Sequence, residues 1–382
     1  MRNLERALHE ARHNTDELFR ILDPDALDAR PIPERHRIVF YLGHLEAFDW
    51  NLIARYALDI PSFHATFDRL FAFGIDPPEG QLPSDQPSDW PDVPEIERYN
   101  QRTREIIDHA LPDVSPELLH AAIEHRLMHA ETLAYIFHNL PYHQKRGCPD
   151  RQVAGGPPPQ PRMIEIPAGE VRLGRDAEQP FAWDNECEPH TLEVPAFSIG
   201  KYKVTNGEYL EFVREGGPAP SFWVEGGSWH YRGMFSEMPL PLDAPVYVTK
   251  CQAEAYARWR GASLPTEAQF HRASEGVPPS QNVDFRFWDP LPVTADDALV
   301  NGGPAQLTGN GWEWTSTVFA PFPGFRPLPY YSNYSEPFFD GQHFVLKGAS
   351  PRTAACFLRP AFRNWFRPSY PYIYATFRLV ES

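Results

Sequence analysis

Apolar residues recur every three or four positions up to about residue 150 and in short alternating runs beyond it. In the first part, helices are expected at about 3–22, 36–58, 93–110 and 116–139, with Ser115-Pro116-Glu117 as the start signal of the last. This pattern predicts a four-helix bundle over 1–150. Between its second and third helices lies IPSFHATFDRLFAFGIDPPEGQLPSDQPSDWP, too rich in proline for continuous helix. Its aromatics Phe63, Phe67, Phe71, Phe73 and Trp90 predict packing rather than disorder. Residues 151–162, RQVAGGPPPQPR, are expected to form a stiff extended linker. From 163 to 382 come β-like runs (MIEIPAGEVRLG, HTLEVPAFSIGKYKVT, HFVLKGAS, YIYATFRLV) among Gly, Pro and Asn clusters, with helices expected only around NGEYLEFVRE and CQAEAYARWRGA. The fold class is therefore α+β in two domains, a helical bundle followed by an irregular, loop-rich sheet domain.

Two of the helical stripes carry histidine where an apolar residue belongs. The line Leu118, Ala122, His125, His129, Leu133, Ile136 is apolar except at its two imidazoles, which project from one face about 6 Å apart and near enough to share an ion. Tyr41, His44, Leu45, Phe48 and Leu52 form a similar stripe on the second helix. Alone, either would read as ordinary core histidine. Together they point to a metal held between bundle helices by His44, His125 and His129. Glu131 and Glu46 each stand two residues past a histidine, roughly 200° around the helix, and are poorly placed to join. Three neutral imidazoles with positions left over are a catalytic rather than a closed structural pattern, suited to Fe(II) or Zn(II).

Composition narrows the class. A formal net charge of −16 over 382 residues, with no basic patch evident, argues against a nucleic-acid or anionic-membrane partner. There is no apolar run of spanning length, and MRNLERALHEARHNTDELF is a charged amphipathic helix rather than a signal peptide. Cys148, Cys187, Cys251 and Cys356 form no CxxC pair, which fits a reducing cytoplasm and disfavours a thiolate metal site.

The stretches IPAGEVRLG, FAWDNECEPHTLEVPAFSIGKYKVTNGEYLEF, APVYVTKCQAEAYARWRGASLPTEAQFHRAS, NGWEWTST, VLKGAS and RPAFRNWF…ATFRLV run in an order that resembles the formylglycine-generating-enzyme (sulfatase-modifying factor) domain, a variant of the C-type lectin fold. The helical half resembles a DinB-type bundle with its three-histidine site. Both halves together resemble the iron-dependent ergothioneine- and ovothiol-type sulfoxide synthases and their selenoneine-forming relatives. That resemblance implies a non-heme Fe(II) enzyme joining the imidazole of hercynine (Nα-trimethylhistidine) to a sulfur or selenium donor with O2. It also implies that Asn364 and Trp365, in FRNWF, contact hercynine, whose trimethylammonium suits aromatic faces.

Departures from the family pattern bear on the donor. Formylglycine-generating enzymes use a copper-binding cysteine pair where LKGASPRTAACFLRP offers Cys356 alone, so that activity is not expected. The sulfoxide synthases place a tyrosine after Trp-Glu-Trp-Thr and an acidic residue after Asn-Trp; here Phe319 and Phe366 occupy those places, and with Trp90 they are candidates to line the donor site. From Phe71 to Glu97 there is no Arg or Lys, so the two carboxylates of γ-glutamylcysteine would lack charge-assisted partners there, each worth about 1.5–3 kcal/mol. Arg69, Arg98, Arg352 and Arg367 remain as alternative sources. A neutral selenosugar needs no such partners, and FDWNL…GIDPPEG…LPSDQPSDWP resembles the selenoneine-forming branch. Two rivals stand beside this reading: a zinc-dependent thiol transferase, which would need no O2, and a non-catalytic lectin-like binding protein.

Overall fold

The computed structural model describes residues 2–72, 82–147, 156–175 and 178–381. It divides into two compact units, Met1–Cys148 and Pro149–Ser382.

In the first unit, α1 (Arg2–Arg20) buries Leu8, Ala11, Thr15 and Leu18 at three- and four-residue spacing. α2 (Ile38–Asp49) is buried on nearly every side, and the chain continues from Trp50 to Ala57 as a π-helix, where one uniform helix over 36–58 was expected. The irregular segment contributes a short α3 (Ala65–Leu70). Asp68 organises it: Trp50 Nε1 at 2.9 Å and Tyr99 Oη at 2.9 Å both donate to its carboxylate. Phe63, Phe67, Phe71 and Trp90 pack there as expected, in edge and stacked contacts. Phe73 lies outside the described residues. α4 (Val93–Ala110) and α5 (Pro116–His138) complete the bundle. The latter starts where Ser115 accepts from the Leu118 amide and Pro116 fills a position needing no donor.

The second unit is built on small sheets. In chain order come β1 (Met163–Ile166), β2 (Gly169–Leu173), β3 (His190–Val194), β4 (Phe197–Gly200), α6 (Asn206–Arg214), β5 (Trp223–Glu225), β6 (Trp229–Arg232), β7 (Glu237–Pro239), α7 (Lys250–Trp259) and α8 (Glu267–Ser274). β8 (Gly311–Val318), β9 (Phe344–Ala349), β10 (Asn364–Phe366), β11 (Ala375–Thr376) and β12 (Val380–Glu381) follow. They pair as β1-β4-β12, β2-β3, β5-β6-β7 and β10-β9-β8-β11, all antiparallel except β11 on β8. α8 and the β5–β7 meander were not expected. α8 opens with a capping box, Thr266 and Gln269 exchanging bonds between side chain and backbone, a signal present in the sequence.

Over residues 311–315 the motif strand β8 is buried on both faces. Glu313, between Trp312 and Trp314, is fully buried with Lys203 Nζ and Arg378 Nε each 2.7 Å from its carboxylate. These cations hold its carboxyl below the usual range against the opposing effect of burial.

The proline segment differs from the expected spacer where it is described. Gly156 N donates to Asp243 at 2.7 Å, the Arg162 carbonyl accepts from Lys201 N at 2.7 Å, and Pro158 lies so close over Gly207 that a Cβ there would be 2.7 Å from its ring. Residues 156–162 are thus docked on the second unit. Residues 151–155 lie outside the described part.

Candidate metal centre

The spacing that marked His125 and His129 places them on one face of α5, and α2 sets His44 against them. The three Nε2 atoms converge: His44 to His129 is 3.2 Å and His129 to His125 is 3.2 Å. All three rings are buried, and their candidate ligand atoms lie within 4.8 Å of one another. Two nitrogens bound to one ion at about 2.1 Å and at tetrahedral or octahedral angles stand about 3.0–3.4 Å apart, so the His44–His129 and His129–His125 separations suit metal coordination.

The surroundings prepare the rings for that role. The Phe71 carbonyl lies 2.6 Å from His44 Nδ1. A carbonyl can only accept, so Nδ1 carries the proton and Nε2 turns its lone pair inward. Phe48 stacks on His125 with centroids 3.4 Å apart and planes at 8°, and Phe40 stacks on His44 at 4.8 Å. Burial pushes the His44 pKa down to about 4, against the opposing effect of the Phe71 bond. His125 and His129 are held well below the ordinary value, first by burial and then by neighbouring cationic charge. The rings are therefore neutral near pH 7, the state a metal requires.

No carboxylate joins them among the described residues. Glu46 is instead paired with Arg104 and Arg126. Three nitrogen donors leave coordination positions open for small molecules.

Of the remaining candidates, Trp365 and Phe319 are brought together and Phe366 is not. Phe319, fully buried just past β8, stacks on Trp365 of β10 at 4.4 Å and 7°. Tyr334 and Phe338 approach the same indole at 5.3 and 5.5 Å. Successive side chains on a strand point to opposite faces, and Phe366 accordingly stacks on Tyr370 at 5.3 Å. Asn364 accepts from the Trp365 amide at 2.9 Å. Trp90 belongs to the first unit, where its indole donates to Asp85 at 2.8 Å and its ring meets Phe40 at 5.9 Å, one ring removed from His44.

The sequence reading missed three contributors. The Phe71 carbonyl is backbone and carries no residue-type signal. Arg30 and Arg37 reach the segment that lacks its own basic residues: Arg30 donates to the Pro83 carbonyl at 2.8 Å, and both pair with Asp85.

Comparison with known proteins adds to this geometry. Residues 7–146 match the DinB superfamily model, and residues 151–290 and 292–382 match the sulfatase-modifying factor enzyme 1-like domain. "Hercynine oxygenase" of Mycobacterium tuberculosis is 37% identical over 248 residues, covering 54% of this chain and 58% of that protein. "Hercynine oxygenase" of Mycolicibacterium smegmatis is 35% identical over 317 residues, covering 71% and 73%. "Ergothioneine biosynthesis protein 1" of Neurospora crassa is 27% identical over 492 aligned positions, covering 95% and 56%. The chain thus spans little more than half the length of the first and last of these relatives. Among the described residues, no helix is long and apolar enough to cross a membrane.

Proposed function

Since the chain belongs to the family of ergothioneine- and ovothiol-type sulfoxide synthases, with their DinB-type bundle and sulfatase-modifying-factor domain, we propose that it is a non-heme Fe(II)- and O2-dependent selenoneine synthase. Its substrates are hercynine and a selenosugar, and its product carries a new carbon–selenium bond on the imidazole. The observation that carries the oxidative reading is the convergence of three neutral, buried imidazoles with no fourth protein ligand among the described residues. Iron bound to His44, His125 and His129 would supply O2 chemistry at its open positions.

The chain's own residues do the positioning. The Phe71 carbonyl fixes the His44 tautomer, and Phe40 and Phe48 stack on the His44 and His125 rings and hold their planes. Asn364 and Trp365 are assigned to hercynine, the indole offering its face to the trimethylammonium. Phe319 has no hydroxyl to move a proton and instead fixes Trp365 by stacking.

For the donor, Arg30 and Arg37 reach the described part of the segment, and both are engaged with Asp85 and backbone carbonyls. A dicarboxylate donor would have to displace those pairs, whereas sugar hydroxyls need only aromatic and neutral polar partners. Similarity to a hercynine oxygenase and to an ergothioneine biosynthesis protein supports a second reading, carbon–sulfur bond formation between hercynine and a cysteine-derived thiol. A zinc-dependent thiol transferase remains the third.

The deciding experiment supplies Fe(II), O2 and hercynine with a selenosugar and γ-glutamylcysteine at equal concentration and reads product masses. Dominant coupling to γ-glutamylcysteine moves the protein to the sulfur branch. Undiminished turnover with zinc under anaerobic conditions rejects the oxidative reading altogether.

A further inference from the structure

We propose that Arg126 is a positioning residue for the three-histidine centre, clasping α2 to α5 so that His44 meets His125 and His129. The inference rests on the metal reading above. Arg126 follows His125 on α5 and is fully buried. Its Nη2 donates to the Leu45 carbonyl at 3.0 Å and to the Asp49 carboxylate at 2.7 Å, and stands 3.0 Å from a Glu46 oxygen. Leu45 and Glu46 directly follow His44. One guanidinium on a ligand-bearing helix therefore grips the other such helix beside its ligand.

The same knot takes in the other long helices. Arg104 of α4 reaches Glu46 at 2.7 Å and forks onto Asp16 of α1 at 2.7 Å for both nitrogens, while Arg126 Nη1 stands 3.4 Å from Thr15 Oγ1 of α1.

Apolar packing alone gives weak control here. α2 is buried on nearly all sides, so its burial does not select one rotation about its axis, and dispersion contacts are non-directional. Three lone pairs aimed at a common point also repel one another until a cation arrives. A fork of hydrogen bonds and ion pairs selects one rotation and one spacing. Buried ion pairs add little stability over well-packed apolar residues, and fixing register is their best-attested use.

Charge and geometry predict opposite outcomes on removal. The cation of Arg126 opposes a nearby dication, so if it acted only through charge, its loss would tighten metal binding. As a positioning residue, its loss weakens binding by about 10–100-fold, the range for outer partners of metal ligands. The full chain is titrated with Co(II), reading affinity and ligand-field absorption, with hydrogen exchange of the α5 amides measured in parallel. Arg126→Met leaves the buried Asp49 carboxylate without its close partner while Glu46 keeps Arg104, and it threatens folding, so Arg126→Met/Asp49→Asn, which removes one charge of each sign, is tested beside it. The expected result is weaker Co(II) binding and an altered spectrum in the double variant with α5 protection retained, and partial recovery in Arg126→Lys. Wild-type affinity and spectrum in the double variant, or tighter binding, overturns the positioning role while leaving the metal centre standing. A wild-type chain that takes up no Co(II) overturns both.

Discussion

Replacing Gly43 with alanine sets two effects of opposite sign against each other on α2. In a helix interior alanine is favoured over glycine by about 1 kcal/mol. The added Cβ, however, would stand 2.6 Å from Cε1, Cε2 and Cζ of Phe71, closer than real Cβ atoms approach anything. The Phe71 ring has nowhere easy to go, being fully buried among Phe67 at 5.5 Å, Trp90 at 6.1 Å and Tyr99 at 6.4 Å. Overpacking of this kind costs about 1–3 kcal/mol, so the net destabilisation is about 0–2 kcal/mol after the helix gain. The larger effect falls on the metal. Phe71 also supplies the carbonyl 2.6 Å from His44 Nδ1, and a displaced Phe71 releases the ring from its tautomer and orientation. Metal affinity should fall about 10–100-fold, out of proportion to the stability change. Titration with Fe(II) or Co(II), paired with urea denaturation, separates the two quantities. If Gly43→Ala were more stable by about 1 kcal/mol and bound metal like the wild type, the chain of reasoning from Gly43 through Phe71 to His44 would be wrong.

His44→Ala, His125→Ala and His129→Ala should each abolish Fe(II) binding with the bundle still folded; any variant keeping full occupancy strikes its residue from the site. In the metal-free chain, the folded imidazoles take up protons at lower pH than unfolded ones, His44 only at about 4. The His44 contribution is then fully present above about pH 6.5 and is lost as pH drops through the window from about 6.5 to 4, by about 1.4 kcal/mol per pH unit, and His125 and His129 act in the same direction. Hydrogen exchange of the α5 amides at pH 7 and 5 should show this, and an equal pH dependence after all three histidines become glutamine would refute it. Hercynine should bind more tightly than histidine by about 1–2 kcal/mol, a preference that Trp365→Leu removes; equal calorimetric affinities in the unaltered protein would exclude the cation–π contact.

The metal candidates were legible because helical periodicity converts spacing into direction: an imidazole on an apolar stripe has only the core to point into. Arg126 was not legible by the same logic. It occupies a fully buried position, and nothing in its own neighbourhood of sequence names Glu46 and Asp49, which are about 80 residues away, as partners. The pairing of Phe319 with Trp365 also had no sequence signal, since it depends on β8 and β10 flanking β9. Grouping Phe366 with Trp365 ignored strand alternation, which the register makes plain. α8 was readable from Thr266 and Gln269 but was obscured by the weak hydrophobic period of EAQFHRAS. Asp85 drawing in Arg30 and Arg37 shows why counting basic residues within one loop misjudges its charge: chain distance is a poor proxy for field.

The docked proline segment decides where the chain can be divided. A boundary drawn by composition would fall after Arg162, yet Gly156 already donates to Asp243 and Pro158 already covers Gly207 at the start of α6. A C-terminal fragment beginning at Met163 would expose the α6 surface around Gly207 and leave the Asp243 carboxylate without the Gly156 amide. A fragment beginning before Gly156 would retain both and, although longer, should aggregate less.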